Sequence, residues 1–255
     1  MGAKTAFIEW NALLAELTET YDYDVIMVGF SWGSADPDQK TMYHTDSYGA
    51  GFNMNKYSNP ELDAILDAGL VAHVAFAQEE APVVVPMIYG RVDETLYLHG
   101  ARKARVIRLL ERTDRACLNV TLLDGIVFAR SAFNSSMNYR SVTVFGSPQL
   151  VDDPDTKLEA LRAITEQSMP GRWDELRAPH EQEIKMTGVI RLDIDHASAK
   201  VSDGMPDDED EDYEIPVWAG VLPLESAFTT LHGDDRVLEG VRPSTAVQNL
   251  QGRKL

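Results

Sequence analysis

A closed, mainly antiparallel β-barrel with helical insertions is the fold class that this sequence predicts, on three observations. Apolar, β-branched runs follow one another between residues 70 and 147, polar turns of two to a few residues separate them, and the helical stretches do not alternate strictly with strands. The chain has 255 residues, 44% of them apolar, which is enough for one large or two small domains.

Taken in order, residues 6–19 carry Phe7, Trp10, Leu14 and Leu17 at helical spacing, and Tyr23 to Phe30 is an apolar strand. About thirty residues rich in Gly, Ser, Asn, Asp and Pro follow, a length that in a compact domain is functional or poorly housed. One helix and one strand cannot bury a core of their own, so residues 1–59 are expected to be an appended αβ fragment. Pro60 opens a helix, PELDAILDAG, and Leu70 to Ala77 is the next strand. Strands are then expected at 82–90, 95–99, 115–123, 126–132 and 139–147. Val92-Asp93-Glu94 reads as a hairpin turn, and so does Asp124-Gly125. Gly100 is expected to end a strand, after which Ala101, Ala104, Ile107 and Leu110 share one face of a helix over 101–112. A second helix at about 155–168 is opened by Asp153, with Pro154 in its first turn. Later strands fall at Thr187–Asp193 and Val217–Leu224, and residues 229–255 form a polar tail.

Charge restricts the partners. Formal net charge is 23 − 41 = −18, which argues against nucleic acid and against an anionic membrane surface. Only eight of the 23 basic residues are lysine, a halophile-like balance. No apolar run reaches the roughly 18 residues of a membrane span, and MGAKTAFIEW lacks a secretion pattern, so a cytoplasmic protein is expected. Cys117 is the single cysteine, expected to be buried in a strand. Eight acids lie between Asp203 and Glu214 without the alternation of a calcium loop and read as a solvated loop. Against this background, Arg102, Lys103, Arg105 and Arg108 stand out after the strand ending near His99. A strand feeding a helix start, with cations in the first turn, reads as a phosphate-binding corner.

Gly29-Phe30-Ser31-Trp32-Gly33 matches the G-x-S-x-G of a serine hydrolase, but Asp36-Pro37-Asp38 stops the helix that such an elbow needs. YDYDVIMVGFSWGSADPD and GFNMNKYSNPELDAILDAG resemble part of the C-terminal lobe of the peptide-binding proteins of ABC transporters, over about 65 residues. APVVVPMIYGRVDETLYLHGARKARVIRLL, DGIVFARSAFNSSMNYRSVTVFG, MPGRWDELR and YEIPVWAGVLPL resemble, in that order, the pyridoxamine 5′-phosphate oxidase superfamily, in its flavin-nucleotide-binding and nitroimidazole-resistance branch. That resemblance covers about residues 62–224 and implies an FMN-binding split barrel over 60–228, a homodimer with a flavin in each of two clefts between subunits. It further implies reduction of a small substrate with electrons from a nicotinamide cofactor, or in other members heme or a deazaflavin in place of FMN. Carried over to this chain, the L-H-G stretch puts His99 beside the cofactor and Arg102, Lys103 and Arg105 near its phosphate. Asn138, Tyr139, Arg140 and Trp218 correspond to residues lining the flavin ring or the facing subunit. Read from residue type alone, His99 serves equally as a structural histidine, Trp218 as core and Arg140 as the partner of an acidic neighbour. No catalytic residue and no metal ligand is assigned.

Overall fold

The computed structural model describes residues 60–79 and 81–255. The expectations for residues 1–59, including Ser31 and the transporter-like stretch, lie outside the described residues. Helix α1 (Pro60–Ala68) leads into β1 (Val71–Gln78), β2 (Ala81–Val92) and β3 (Thr95–Ala101). Then come α2 (Arg105–Leu110), β4 (Ala116–Phe128), β5 (Ser136–Gly146), β6 (Pro148–Leu150) and α3 (Pro154–Ser168). After α4 (Glu181–Met186), β7 (Thr187–Asp193), β8 (His196–Ser202) and β9 (Gly220–Pro223), α5 (Thr245–Leu250) closes the series. All strand pairings are antiparallel, in the order β6-β7-β3-β2-β1-β4-β5-β8, with β9 on β4.

The barrel is split rather than closed, because the path of hydrogen-bonded neighbours ends at β6 on one side and β8 on the other. Three stretches of chain carry the structure from one half to the other. β2 pairs with β1 through Ile88 and with β3 from Tyr89 onward, β5 runs through Ser147 into β6, and β7 turns at Ile194-Asp195 into β8. At the second crossing the backbones nearly touch: a Cβ on Gly146 would lie 2.2 Å from the Asp193 carbonyl oxygen, so only glycine fits.

Alternation supplies the core. Ala72, Val74 and Phe76 of β1, Leu96 and Leu98 of β3, Leu118 and Val120 of β4, Val142 and Val144 of β5, and Ile190 and Leu192 of β7 all point inward. Leu62, Ile65 and Leu66 of α1 join them, and the buried Tyr89 hydroxyl donates to the Leu66 carbonyl. α3 lies across β2 and β3, opened as its sequence predicts by Asp153, whose carboxylate accepts from the Thr156 N–H at 2.8 Å, with Pro154 in the first turn. Its far end ties back to α1, where Gln167 Nε2 donates to the carbonyls of Leu66, Asp67 and Gly69, which the helix itself leaves open.

Five local expectations are corrected. Asp124-Gly125 is a β-bulge and not a hairpin, so the strands expected at 115–123 and 126–132 are the single β4, which pairs with β5 on both sides of the bulge. Gly100 does not end β3, which pairs with β7 through Ala101 opposite Thr187, and α2 therefore starts only at Arg105. The last strand is shorter than Val217–Leu224, and β6 and β8 are additional. Cys117 is half-buried on β4. The acidic stretch is not simply solvated: the Asp208 side chain is fully buried and accepts from the N–H of Arg130 at 2.8 Å and its guanidinium at 3.0 Å, while that guanidinium lies over the Tyr213 ring. No helix among the described residues is long and apolar enough to cross a membrane.

Candidate functional site

The cationic corner forms where β3 leaves the sheet. Ala101 is the last residue of β3, Arg102 and Lys103 make a turn, and Ala104 caps α2 from an extended conformation. The pairing of β3 with β7 ends at Ala101 opposite Thr187, and just beyond it the Arg102 N–H donates at 2.7 Å to the carbonyl of Met186, the last residue of α4. Arg102 and Lys103 thus precede the helix instead of occupying its first turn, a shift from the expected register.

The charges of the corner divide into two groups. Arg102 is committed to Glu111, two parallel bonds of 3.0 Å to its two carboxylate oxygens. Arg105 donates at 2.8 Å to the side-chain oxygen of Gln78, a neutral group that leaves its charge unbalanced. Lys103, Arg108 and Arg112 form no ion pair among the described residues, whereas Arg91, Arg115, Arg130, Arg140, Arg162, Arg172, Arg177 and Arg191 each have an acidic partner. In a chain of net charge −18, the cations Lys103, Arg105, Arg108 and Arg112 therefore stand without a balancing carboxylate among the described residues. His99, two residues before the turn, is half-buried, and its Nδ1 is buried with no hydrogen-bond partner. Burial lowers its pKa below the ordinary 6.5, so the imidazole is neutral at pH 7.

The second group of expected site residues sits in the other half of the barrel, and among the described residues no hydrogen bond or ion pair joins it to the corner. Asn138 is buried and donates to the Gly204 carbonyl at 3.0 Å. Arg140 is clamped on Asp124 by bonds of 2.9 and 2.7 Å, so the acid that the bulge turns out of β4 is its partner. Tyr139 faces outward with the Lys200 ammonium 5.7 Å from its ring centre. Trp218 is 69% exposed, which rules out the core reading; it covers Gly220 and tilts against Phe128 at 5.9 Å. Around it runs a row of cross-strand neighbours, Met137, Ile126 and Leu222, all exposed. The alternative reading of Arg140 as the partner of an acidic neighbour holds, with Asp124 as that neighbour, whereas Gln78 and Glu111 have no sequence signal as partners of Arg105 and Arg102. No cluster of His, Cys, Asp and Glu suited to a metal ion occurs among the described residues.

This split barrel with a cationic strand end has known relatives. A family model described as pyridoxamine 5′-phosphate oxidase matches residues 58–201. The chain belongs to the pyridoxamine 5′-phosphate oxidase family. It is similar to the flavocytochrome Anf3 from Azotobacter vinelandii, at 38% identity over 78% of this chain and 92% of that one, with a TM-score of 0.72. A FAD- and heme-binding protein from Mycobacterium smegmatis matches at 38% identity over 76% of this chain and 96% of that one, with a TM-score of 0.73. A putative 5-nitroimidazole antibiotic resistance protein from Bacteroides thetaiotaomicron matches at 21% identity over 56% of this chain and 82% of that one, with a TM-score of 0.49. No curated protein matches. The family match starts at residue 58, and nothing among these relatives supports the likeness of residues 1–65 to transporter binding proteins.

Proposed function

We propose that this protein binds a flavin nucleotide, with the phosphate next to the ribityl chain held at Lys103 and Arg105 and the ring near His99. The run of unbalanced cations after β3 carries this reading, and the flavocytochrome and the FAD- and heme-binding relative support it. FMN and FAD share that phosphate, so the corner serves either. The neutral His99 imidazole would offer the ring a hydrogen bond whose protonation state is fixed through neutral pH. A bound flavin supplies electron or hydride transfer, and the reaction we propose is reduction of a small molecule with electrons from a nicotinamide cofactor in the cytoplasm.

The homodimer is part of the same proposal: Asn138, Tyr139, Arg140 and Trp218, in the other half of the barrel, would line the site of a second copy. Its contact would be the exposed apolar row Met137, Ile126 and Leu222 with Phe128 and Trp218, a patch of the kind that marks interfaces. A second cofactor, heme, is favoured by the same two relatives, one a flavocytochrome and the other described as binding FAD and heme.

Titration of the flavin-free protein with FMN, FAD and riboflavin tests the site. Replacing Lys103 and Arg105 together by alanine removes up to two charge-assisted contacts worth about 1.5 to 3 kcal/mol each, so nucleotide affinity should fall on the order of a hundredfold or more. Riboflavin, which lacks the phosphate, should bind both proteins alike. Equal losses for all three ligands would assign the two cations to the fold instead.

A further inference from the structure

One side of α3 borders a groove of about 490 Å³ that shares no residue with the cationic corner. Glu159, Arg162, Ala163 and Glu166 line it at the spacing of a single helix face. The rest of the wall comes from Asp67 at the end of α1, Arg91 and Val92 at the end of β2, and Arg253 from the last residues of the chain.

Most of the charge in this groove is already committed. The Arg91 guanidinium holds both carboxylate oxygens of Asp67, at 2.7 and 2.6 Å. Glu166 accepts from the N–H groups of Gly171 and Trp173 at 2.6 and 2.9 Å, and Arg162 donates to Asp174 at 3.2 Å. Two groups are left over. The Glu159 carboxylate and the Arg253 guanidinium line the same groove with opposite charges, yet neither has a hydrogen bond or ion pair among the described residues. Arg253 is held in place by its backbone, whose N–H donates to the Leu250 carbonyl and whose carbonyl accepts from the Phe228 N–H, both at 3.0 Å, and its residue is half-buried. Among the uncharged lining residues, Val92, Ala163 and Pro170 are aliphatic, and the amide nitrogen of Gln167 is engaged by the end of α1.

We propose that this groove binds a small zwitterionic amino acid, with its carboxylate on Arg253, its ammonium on Glu159 and its carbon chain over the aliphatic residues. A ligand charged at both ends satisfies the two unpaired groups at once, the guanidinium taking the carboxylate through two parallel bonds and the carboxylate of Glu159 accepting from the ammonium. A simple anion would also face Glu159, Glu166 and Asp67, and a simple cation would also face Arg162 and Arg253, so neither matches the groove as well. The site stands apart from the flavin reading.

Calorimetric titration of the full-length protein at low salt tests it with glycine, β-alanine, γ-aminobutyrate and ε-aminocaproate, whose charged ends are progressively farther apart, and with butyrate and butylamine, which carry one charge each. One length among the amino acids should bind about tenfold or more tightly than either single-charge probe. E159Q and R253Q should each abolish that advantage. Because neither side chain has a partner in the fold, both variants should keep the thermal midpoint and the flavin content of the wild type. Absence of binding by all four amino acids, affinities no better than those of butyrate and butylamine, or variants that bind like the wild type would overturn the proposal. So would a loss of binding that comes with a fall in the thermal midpoint, which would assign the two residues to the fold. None of these results bears on the flavin site, whose own titration is separate.

Discussion

His99 shows how one side chain sets a condition on the whole protein. Its folded pKa lies below the unfolded value of about 6.5, so between the two the unfolded chain binds more protons than the folded one. Stability from this group is therefore complete above about pH 6.5 and is lost as pH falls through the folded value. Chemical unfolding at pH 7.5 and pH 5.5 should show a larger drop for the wild type than for H99Q; equal drops would contradict the burial of the imidazole. Asp208 follows the same sign for a different reason. Burial works to raise its carboxyl, but the Arg130 N–H and guanidinium outweigh that and hold it below the usual carboxylate range. What it contributes is present above about pH 4 and lost below. At this scale the sequence was legible in part. The contrast between basic residues 102–108 and an acidic chain was visible, whereas the bonds of Arg102 to Glu111 and of Arg140 to Asp124 depend on the turn after β3 and on a bulge.

Elements were read well where local chemistry alone decides them. Asp153-Pro154 opens α3 because a carboxylate cap and a fixed φ need nothing from the rest of the fold. Asp124-Gly125 reads as a turn because the same dipeptide suits a type I′ turn and a bulge, and only the continuous pairing of β4 with β5 chooses between them. β8 carries no strand signal in the sequence, since HASAKVS is weakly apolar and buries few of its side chains. The docking of α3 makes the sharpest prediction for an element. A Cβ on Gly90 would sit 2.4 Å from the Ile164 nitrogen and 2.5 Å from the Ala163 carbonyl carbon, both backbone atoms of α3. G90A must push the helix off β2 and should cost about 1 to 3 kcal/mol or more in denaturant unfolding. A variant as stable as the wild type would mean that α3 does not lie this close.

For the molecule as a whole, net charge and the proposed dimer are the governing quantities. At −18, self-repulsion weakens the fold at low ionic strength, and the thermal midpoint should rise as potassium chloride is added toward molar concentration. A midpoint that falls steadily with salt would contradict this. Residues 2–58 precede the family match almost entirely, and we propose that the barrel does without them: their deletion should leave flavin content and thermal midpoint unchanged, and a collapse of both would make them integral. The central claim is that this split barrel carries a flavin nucleotide, and the most direct measurement is the absorption spectrum of the purified protein, with the released cofactor identified by chromatography after denaturation. The two bands of oxidised flavin, in a ratio approaching one FMN or FAD per chain, are the predicted result. A colourless protein that also fails to take up FMN and FAD when they are added would contradict it.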